Sequence, residues 1–294
     1  MRTSLKTAAV ALVAACLLGH APAVCAEWLL DAETGLVYES NVGLSPLRRD
    51  VKGDVAAATS VSAGLGTHLD DHTSASLTAD VGGQKYADLD GLDHVAVGLT
   101  GAIRRKLGLG AAAPWVRVSG TGARLDYEDD VRTGWRYRFA VDVGGRLGER
   151  WAVRGGWAFE ERSADHARVV SSRLPGDAFD VQGHTFSARA DVVATERVSV
   201  FGGYAVRTGD VVASTRRDPG IFVASTALTR DPALGPDFVA YRIEAVVHAL
   251  TLGLSVAVTD RLSVNASYER LQGFAKRGID YGNDVVRAGL LFVY

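Results

Sequence analysis

Cysteine is nearly absent from this chain. Both copies, Cys16 and Cys25, lie in the first 25 residues. If those residues are removed on export, the remaining protein has no disulfide framework, no cysteine-ligated metal and no cysteine nucleophile. Long apolar runs are missing too. Hydrophobic residues make up 47% of the chain, yet nothing after residue 26 approaches the ~20-residue stretch of a transmembrane helix. Any contact with a membrane must therefore be made by strands. Charge is balanced, with 32 basic against 34 acidic residues and a formal net charge of −2, and no basic patch points to nucleic acid. There is no Gly-x-Ser-x-Gly, no His-Glu-x-x-His and no phosphate-loop pattern. No long repeat, second domain or low-complexity tract interrupts the chain.

The N-terminus reads as a secretory signal over residues 1–26. Arg2 and Lys6 form a basic start, residues 8–18 an apolar run, and Val24-Cys25-Ala26 a small-x-small cleavage site before Glu27. The alternatives are a retained anchor, for which the run is short, and lipidation at Cys16, against which the run continues through Leu17 and Leu18. Residues 27–294 then form a single domain.

Within that domain the apolar residues alternate. Over residues 135–147, Trp135, Tyr137, Phe139, Val141, Val143 and Leu147 share one face, while Arg136, Arg138, Asp142 and Arg146 share the other. Short links near residues 70–71, 106–110, 149–150, 195–197 and 259–261 alternate with longer polar links at 41–53, 85–93, 128–133, 163–182, 208–237 and 271–283. This spacing predicts an all-β, closed antiparallel transmembrane barrel of about 12 strands, with short periplasmic turns, long external loops and both termini on the short-turn side. Trp28, Trp151 and Tyr294 are expected in one aromatic belt. Tyr38, Tyr127, Trp135, Trp157, Tyr204, Tyr241 and Tyr268 are expected in the other. The apolar phase changes between Val247 and Leu250, which predicts either a β-bulge near His248 or an outer half that projects above the membrane. The longest link, 208–237, is read as a collapsed surface loop in preference to a pore constriction or a cap on the mouth.

If the apolar faces meet lipid, the opposite faces line the interior. Arg136, Arg138, Asp142, Arg154, Glu160, Arg189 and Asp191 are the candidate lumen-lining residues. The arginines either form a ladder that favours anionic solutes or pair with the carboxylates and help to plug the barrel. His94 and His184 are the histidines placed for a lipid hydrolase at the rim, with Ser76, Thr78 or Ser187 near in sequence or one strand away. Neither lies in a catalytic motif.

The last strand carries Val286, Ala288, Leu290, Phe292 and Tyr294 on one face. With Arg287, Gly289, Phe292 and Tyr294 in the corresponding slots, it resembles the C-terminal assembly signal of bacterial outer-membrane β-barrel proteins. The segment 35–42 has a weaker likeness to the barrel part of surface-lipoprotein assembly modifiers, although the helical repeat that precedes that barrel is missing. The first resemblance implies a Gram-negative outer-membrane location, lipid as a partner and recognition by the barrel-assembly machinery. The expected function is a porin-like passive channel for small hydrophilic or anionic solutes, with no enzyme activity, cofactor or metal. The alternatives are an accessory barrel in surface-protein or polysaccharide export, acting with a periplasmic or surface-protein partner, and a rim lipid hydrolase.

Overall fold

A computed structural model describes residues 26–294. The signal reading of residues 1–26 lies, but for Ala26, outside the described residues. Thirteen strands form one sheet. They are β1 (Glu27–Glu39), β2 (Asp54–His68), β3 (Thr73–Tyr86), β4 (His94–Lys106), β5 (Trp115–Tyr127), β6 (Gly134–Leu147), β7 (Trp151–Ala164), β8 (Val181–Val193), β9 (Val198–Arg216), β10 (Ala227–Arg230), β11 (Phe238–Ala257), β12 (Leu262–Ala275) and β13 (Ile279–Val293). Twelve of them close into an antiparallel barrel, and the short β10 flanks β11 outside the ring.

The ring closes where β1 pairs with β13, from Asp31↔Val293 to Glu39↔Val285. Gly35 and Gly289 are partners in this seam. A Cβ on Gly289 would lie 2.7 Å from the Thr34 carbonyl, and one on Gly35 would strike the Ala288 carbonyl. The two strands can approach this closely only because both residues lack a side chain.

Alternation is kept around the ring. On β4, Val95, Val97, Leu99 and Ile103 point outward and are about half exposed in the isolated chain, whereas His94, Ala96, Thr100 and Ala102 point inward. Trp28, Trp151 and Tyr294 are exposed at the short-turn end; Tyr38, Trp135, Tyr137, Tyr204 and Tyr268 are exposed toward the other. Local chemistry explains the short links. The Asp70 carboxylate accepts from the backbone N–H of His72 and Thr73, each at 2.8 Å. The Thr195 hydroxyl accepts from the N–H of Arg197 and Val198, and Thr259 does the same for Arg261 and Leu262.

Several boundaries differ from the sequence reading. The link at 271–283 is almost entirely strand, turning only at Lys276–Gly278 around Arg277, whose φ is 65°. There is no bulge at His248, because β11 pairs in unbroken register with β9 from Phe238↔Arg216 to Val256↔Val198. The phase change arises because the inward positions Ile243 and Ala245 are packed against an apolar cluster instead of water. Tyr127 and Tyr241 belong to no outer belt: Tyr127 stacks on His94, and Tyr241 is buried.

The outward-apolar arrangement has a direct test. Leu99→Arg is expected to destabilise the barrel by about 2–4 kcal/mol in lipid vesicles, because a charge would then sit against hydrocarbon near mid-strand. Thr121→Arg, which points inward, should cost far less. Denaturant unfolding of the two variants makes the comparison.

Candidate functional site in the barrel lumen

The interior is polar and satisfied largely by short side chains. Asp80 accepts hydrogen bonds from Ser62 (2.6 Å), Thr100 (2.7 Å) and Thr78 (3.3 Å), and Thr100 continues to Thr121 at 3.1 Å. One carboxylate thereby draws hydroxyls from three strands and reaches a fourth through Thr100, which compensates its charge without a cation. On the other side, Glu269 accepts from Thr251 at 3.0 Å and lies 3.5 Å from Arg287.

The candidate lumen residues are held unequally. Arg138 lies 3.8 Å from Glu160 on the facing strand. Arg189 holds Asp191, two positions along its own strand, at 2.6 Å, and its guanidinium stacks 3.8 Å from the centre of the Phe201 ring. Asp142 lies against Gly156, where a larger residue would displace it. Among the described residues, Arg136 and Arg154 have no carboxylate within salt-bridge distance. Some of these arginines are therefore paired with carboxylates and others are not.

A cavity of about 610 Å³ occupies the lumen, with Glu33, Ser60, Gln84, His94, Arg189, Asp191, Ser199, Asn265 and Arg287 among its lining. It lies off-centre. No residue of β5, β6 or β7 lines it, whereas Gly35, Ala58, Gly82 and Gly289 do. Small inward side chains leave space on one wall, and the long arginines of β6 and β7 take it up on the other.

The mouth at the long-loop end is crossed by a lid. β9 and β11 pair with each other well beyond the points where their outer neighbours stop, at Gly183↔Gly209 on β8 and Ala245↔Ala275 on β12. Gly209 has a φ of 132°, and a Cβ there would strike the Gln182 carbonyl, so glycine permits the departure. Beyond it the hairpin carries α1 (Pro219–Ala224), whose first turn is capped by Asp218, and β10. Its tip residues Leu234 and Phe238 pack against Leu92, Tyr86 and Leu89 in and beside the β3–β4 link. In the ring, five strands lie between that link and the hairpin in either direction, β4 to β8 one way and β3, β2, β1, β13 and β12 the other, so the hairpin spans the opening. This overturns the reading of 208–237 as a collapsed surface loop. The apolar residues Ile221 and Leu228 in that segment are the interior of the lid.

Two buried carboxylates fasten it. Asp231 accepts from Arg132 in a two-pronged pair (2.6 and 3.2 Å) and from the Ser214 hydroxyl. Asp50, in the β1–β2 link, accepts from the Thr215 hydroxyl and from Arg216 at 2.5 Å. Burial acts to raise the Asp50 pKa, but the hydrogen bonds from Thr215 and Arg216 and the Arg216 charge outweigh it and hold the carboxyl below its usual range. Lys52 donates to the Leu234 carbonyl at 2.7 Å and lies 5.0 Å over the Phe238 ring. Sequence reading missed all of these groups, because each lies in a link and its partner lies far along the chain.

The two rim histidines make other contacts. His94 Nδ1 lies 3.1 Å from the Leu92 carbonyl, and its ring stacks on Tyr127 at 4.5 Å. His184 points outward and packs beside Trp157 and Phe159. In the acidic link, Asp93 accepts from the Tyr86 N–H at 2.7 Å and lies 3.6 Å from Lys85, which gives it a structural role.

No protein-family profile matches the chain, and no curated protein sequence matches it. Solved structures do. An outer-membrane channel from Pseudomonas putida F1 aligns with a TM-score of 0.54 at 10% identity, covering 94% of this chain and 97% of that one. The NanC porin aligns at 0.48 and 11% identity, covering 90% and 98%. The outer-membrane channel DcaP of Acinetobacter baumannii aligns at 0.46 and 7% identity, covering 92% and 97%. The first of these, with the closed antiparallel ring itself, gives the fold as that of outer-membrane β-barrels.

Removing one partner of a buried ion pair typically costs about 3–5 kcal/mol, so Asp231→Asn should free the lid. Amide hydrogen exchange over residues 217–237 is expected to accelerate at least ten-fold while the barrel strands stay protected. Asp50 has a lowered pKa, so its contribution is complete above the ordinary carboxylate range and is lost as pH falls. After correction for intrinsic rates, protection of the lid should weaken only below about pH 4.

Proposed function

We propose that the chain is a passive channel of the Gram-negative outer membrane for small hydrophilic solutes, anions among them. The observation that carries this reading is the interior: charged and hydroxyl-bearing side chains face a cavity of about 610 Å³, while the apolar side chains face outward. A barrel that served only as an anchor would have no need of unpaired arginines such as Arg136 and Arg154 on its inner wall, since uncompensated charge is tolerated only beside water or a counter-ion. In this reading the short turns face the periplasm and the lid faces the exterior. The apolar band and its two aromatic girdles meet lipid, and residues 1–26 direct export.

The C-terminal strand supports the same biogenesis. Phe292 and Tyr294 fall on the outward phase, Arg287 points inward toward Glu269, and Gly289 forms the seam with Gly35. In the proposal these four residues are read by the assembly machinery before the seam closes. The lid makes passage depend on an opening at one end, so the closed form should conduct poorly.

Planar-bilayer recording tests this. Purified protein is expected to give discrete conductance steps in KCl with a low open fraction, and Asp231→Asn should raise that fraction several-fold. Absence of steps from both proteins would overturn the channel reading.

A further inference from the structure

Three pairs of inward arginines stand directly opposite one another on neighbouring strands: Arg104↔Arg117, Arg154↔Arg189 and Arg136↔Arg162. Like charges directly opposed in a sheet repel. The first two pairs are partly relieved. Arg104 lies 4.6 Å over the Trp115 ring, and Arg189 is held by Asp191 and Phe201. The third pair, at the long-loop end, lacks a counter-charge. Among the described residues neither Arg136 nor Arg162 has a carboxylate partner. Arg162 donates through Nη2 to the Arg132 carbonyl, yet its Nε is buried with no acceptor. The nearby Arg132 guanidinium adds a third positive charge. It lies 4.6 Å from the centre of the Phe179 ring, which Arg162 approaches at 5.8 Å, and it is committed to Asp231. Two further rings complete the surroundings: Tyr127, whose centre is 5.1 Å from the Arg162 guanidinium, and His94 stacked on Tyr127.

A buried cationic donor without an acceptor is rare, because a charged group gives up its water only for a partner. We propose that Arg136 and Arg162 form a binding site for an oxyanion, the carboxylate, sulfate or phosphate of a small solute. Two guanidinium forks on adjacent strands offer several N–H groups to two or more oxygens, which favours such groups over chloride. Tyr127 and His94 supply an aromatic wall for the body of the solute. The site lies beside Arg132, whose pairing with Asp231 fastens the lid. The inference deepens the channel reading: it rests on that reading for the route by which the solute arrives, and on geometry alone for the site.

The test is isothermal titration calorimetry of the full protein in detergent with sodium sulfate, phosphate and acetate, chloride holding the ionic strength constant. Saturable binding of at least one of the three is expected. Arg136→Gln and Arg162→Gln should each weaken it at least ten-fold. Arg146→Gln, which removes one charge from the same wall, should change it less than two-fold. Folding of every variant is checked by the mobility shift between unheated and boiled samples; if Arg162→Gln does not fold, Arg136→Gln carries the test. Lack of saturable binding by all three anions overturns the proposal. So does an equal loss in Arg146→Gln, which would mean a diffuse field instead of a site. Binding is read without reference to conductance, so a protein that binds but does not conduct retains the site and loses the channel.

Discussion

Closure of the backbone hydrogen-bond ladder is the constraint on which the rest depends. An open sheet would leave a row of N–H and C=O groups unpaired, and in hydrocarbon those groups would find no water to replace the missing partner. The β1–β13 pairing removes both edges at once. It requires the first and last strands to meet closely, and the Gly35–Gly289 partnership meets that requirement with hydrogen atoms where side chains would collide. Once the ring is closed, alternation leaves each strand one outward and one inward face. The outward face is apolar and the inward face must solve a charge problem.

That problem is solved differently around the lumen. The β2–β5 wall uses short hydroxyl side chains to surround Asp80, and glycines and alanines of β1–β4 leave room for the cavity. The β6–β8 wall uses long arginines, some neutralised by Glu160 and Asp191 and some not. Uncompensated charge is therefore left on this wall at both ends, at Arg154 toward the short turns and at Arg136 and Arg162 toward the mouth. The lid continues the same design beyond the barrel. Extending β9 and β11 beyond their neighbours costs no unpaired edge between them, and β10 covers part of the free side of β11. The apolar residues that would be a liability on an exposed hairpin become its interior.

Much of the barrel was legible in the sequence. Trp135 through Leu147 announced its faces by alternation, and the turns near Asp70, Thr195 and Thr259 stand where short links were expected, their side chains capping backbone N–H groups. Legibility failed where a residue's role depends on something other than its own strand. Tyr241 and Ile243 looked like a phase error because their inward positions face apolar lid packing. Tyr127 looked like a girdle residue because strand position alone does not tell an inward ring beside Arg162 from an outward one beside lipid. The link at 271–283 looked like a loop because it is polar and rich in glycine, whereas it continues β12 and β13, whose flanking Arg270 and Asp284 pair across the strands at 2.6 Å.

Alternation and turn chemistry are local, so the chain by itself determined the class of fold, the approximate strand number and the face that most barrel side chains take. The closing contacts are not local. Arg132 and Asp231 are 99 positions apart, and Asp50 and Arg216 are 166 apart. Each pairing is possible only because the closed ring brings opposite strands within reach of one hairpin. Tertiary structure alone decided that the mouth is covered, that Asp231 and Asp50 are buried, and that Arg136 and Arg162 stand opposite each other without a counter-charge.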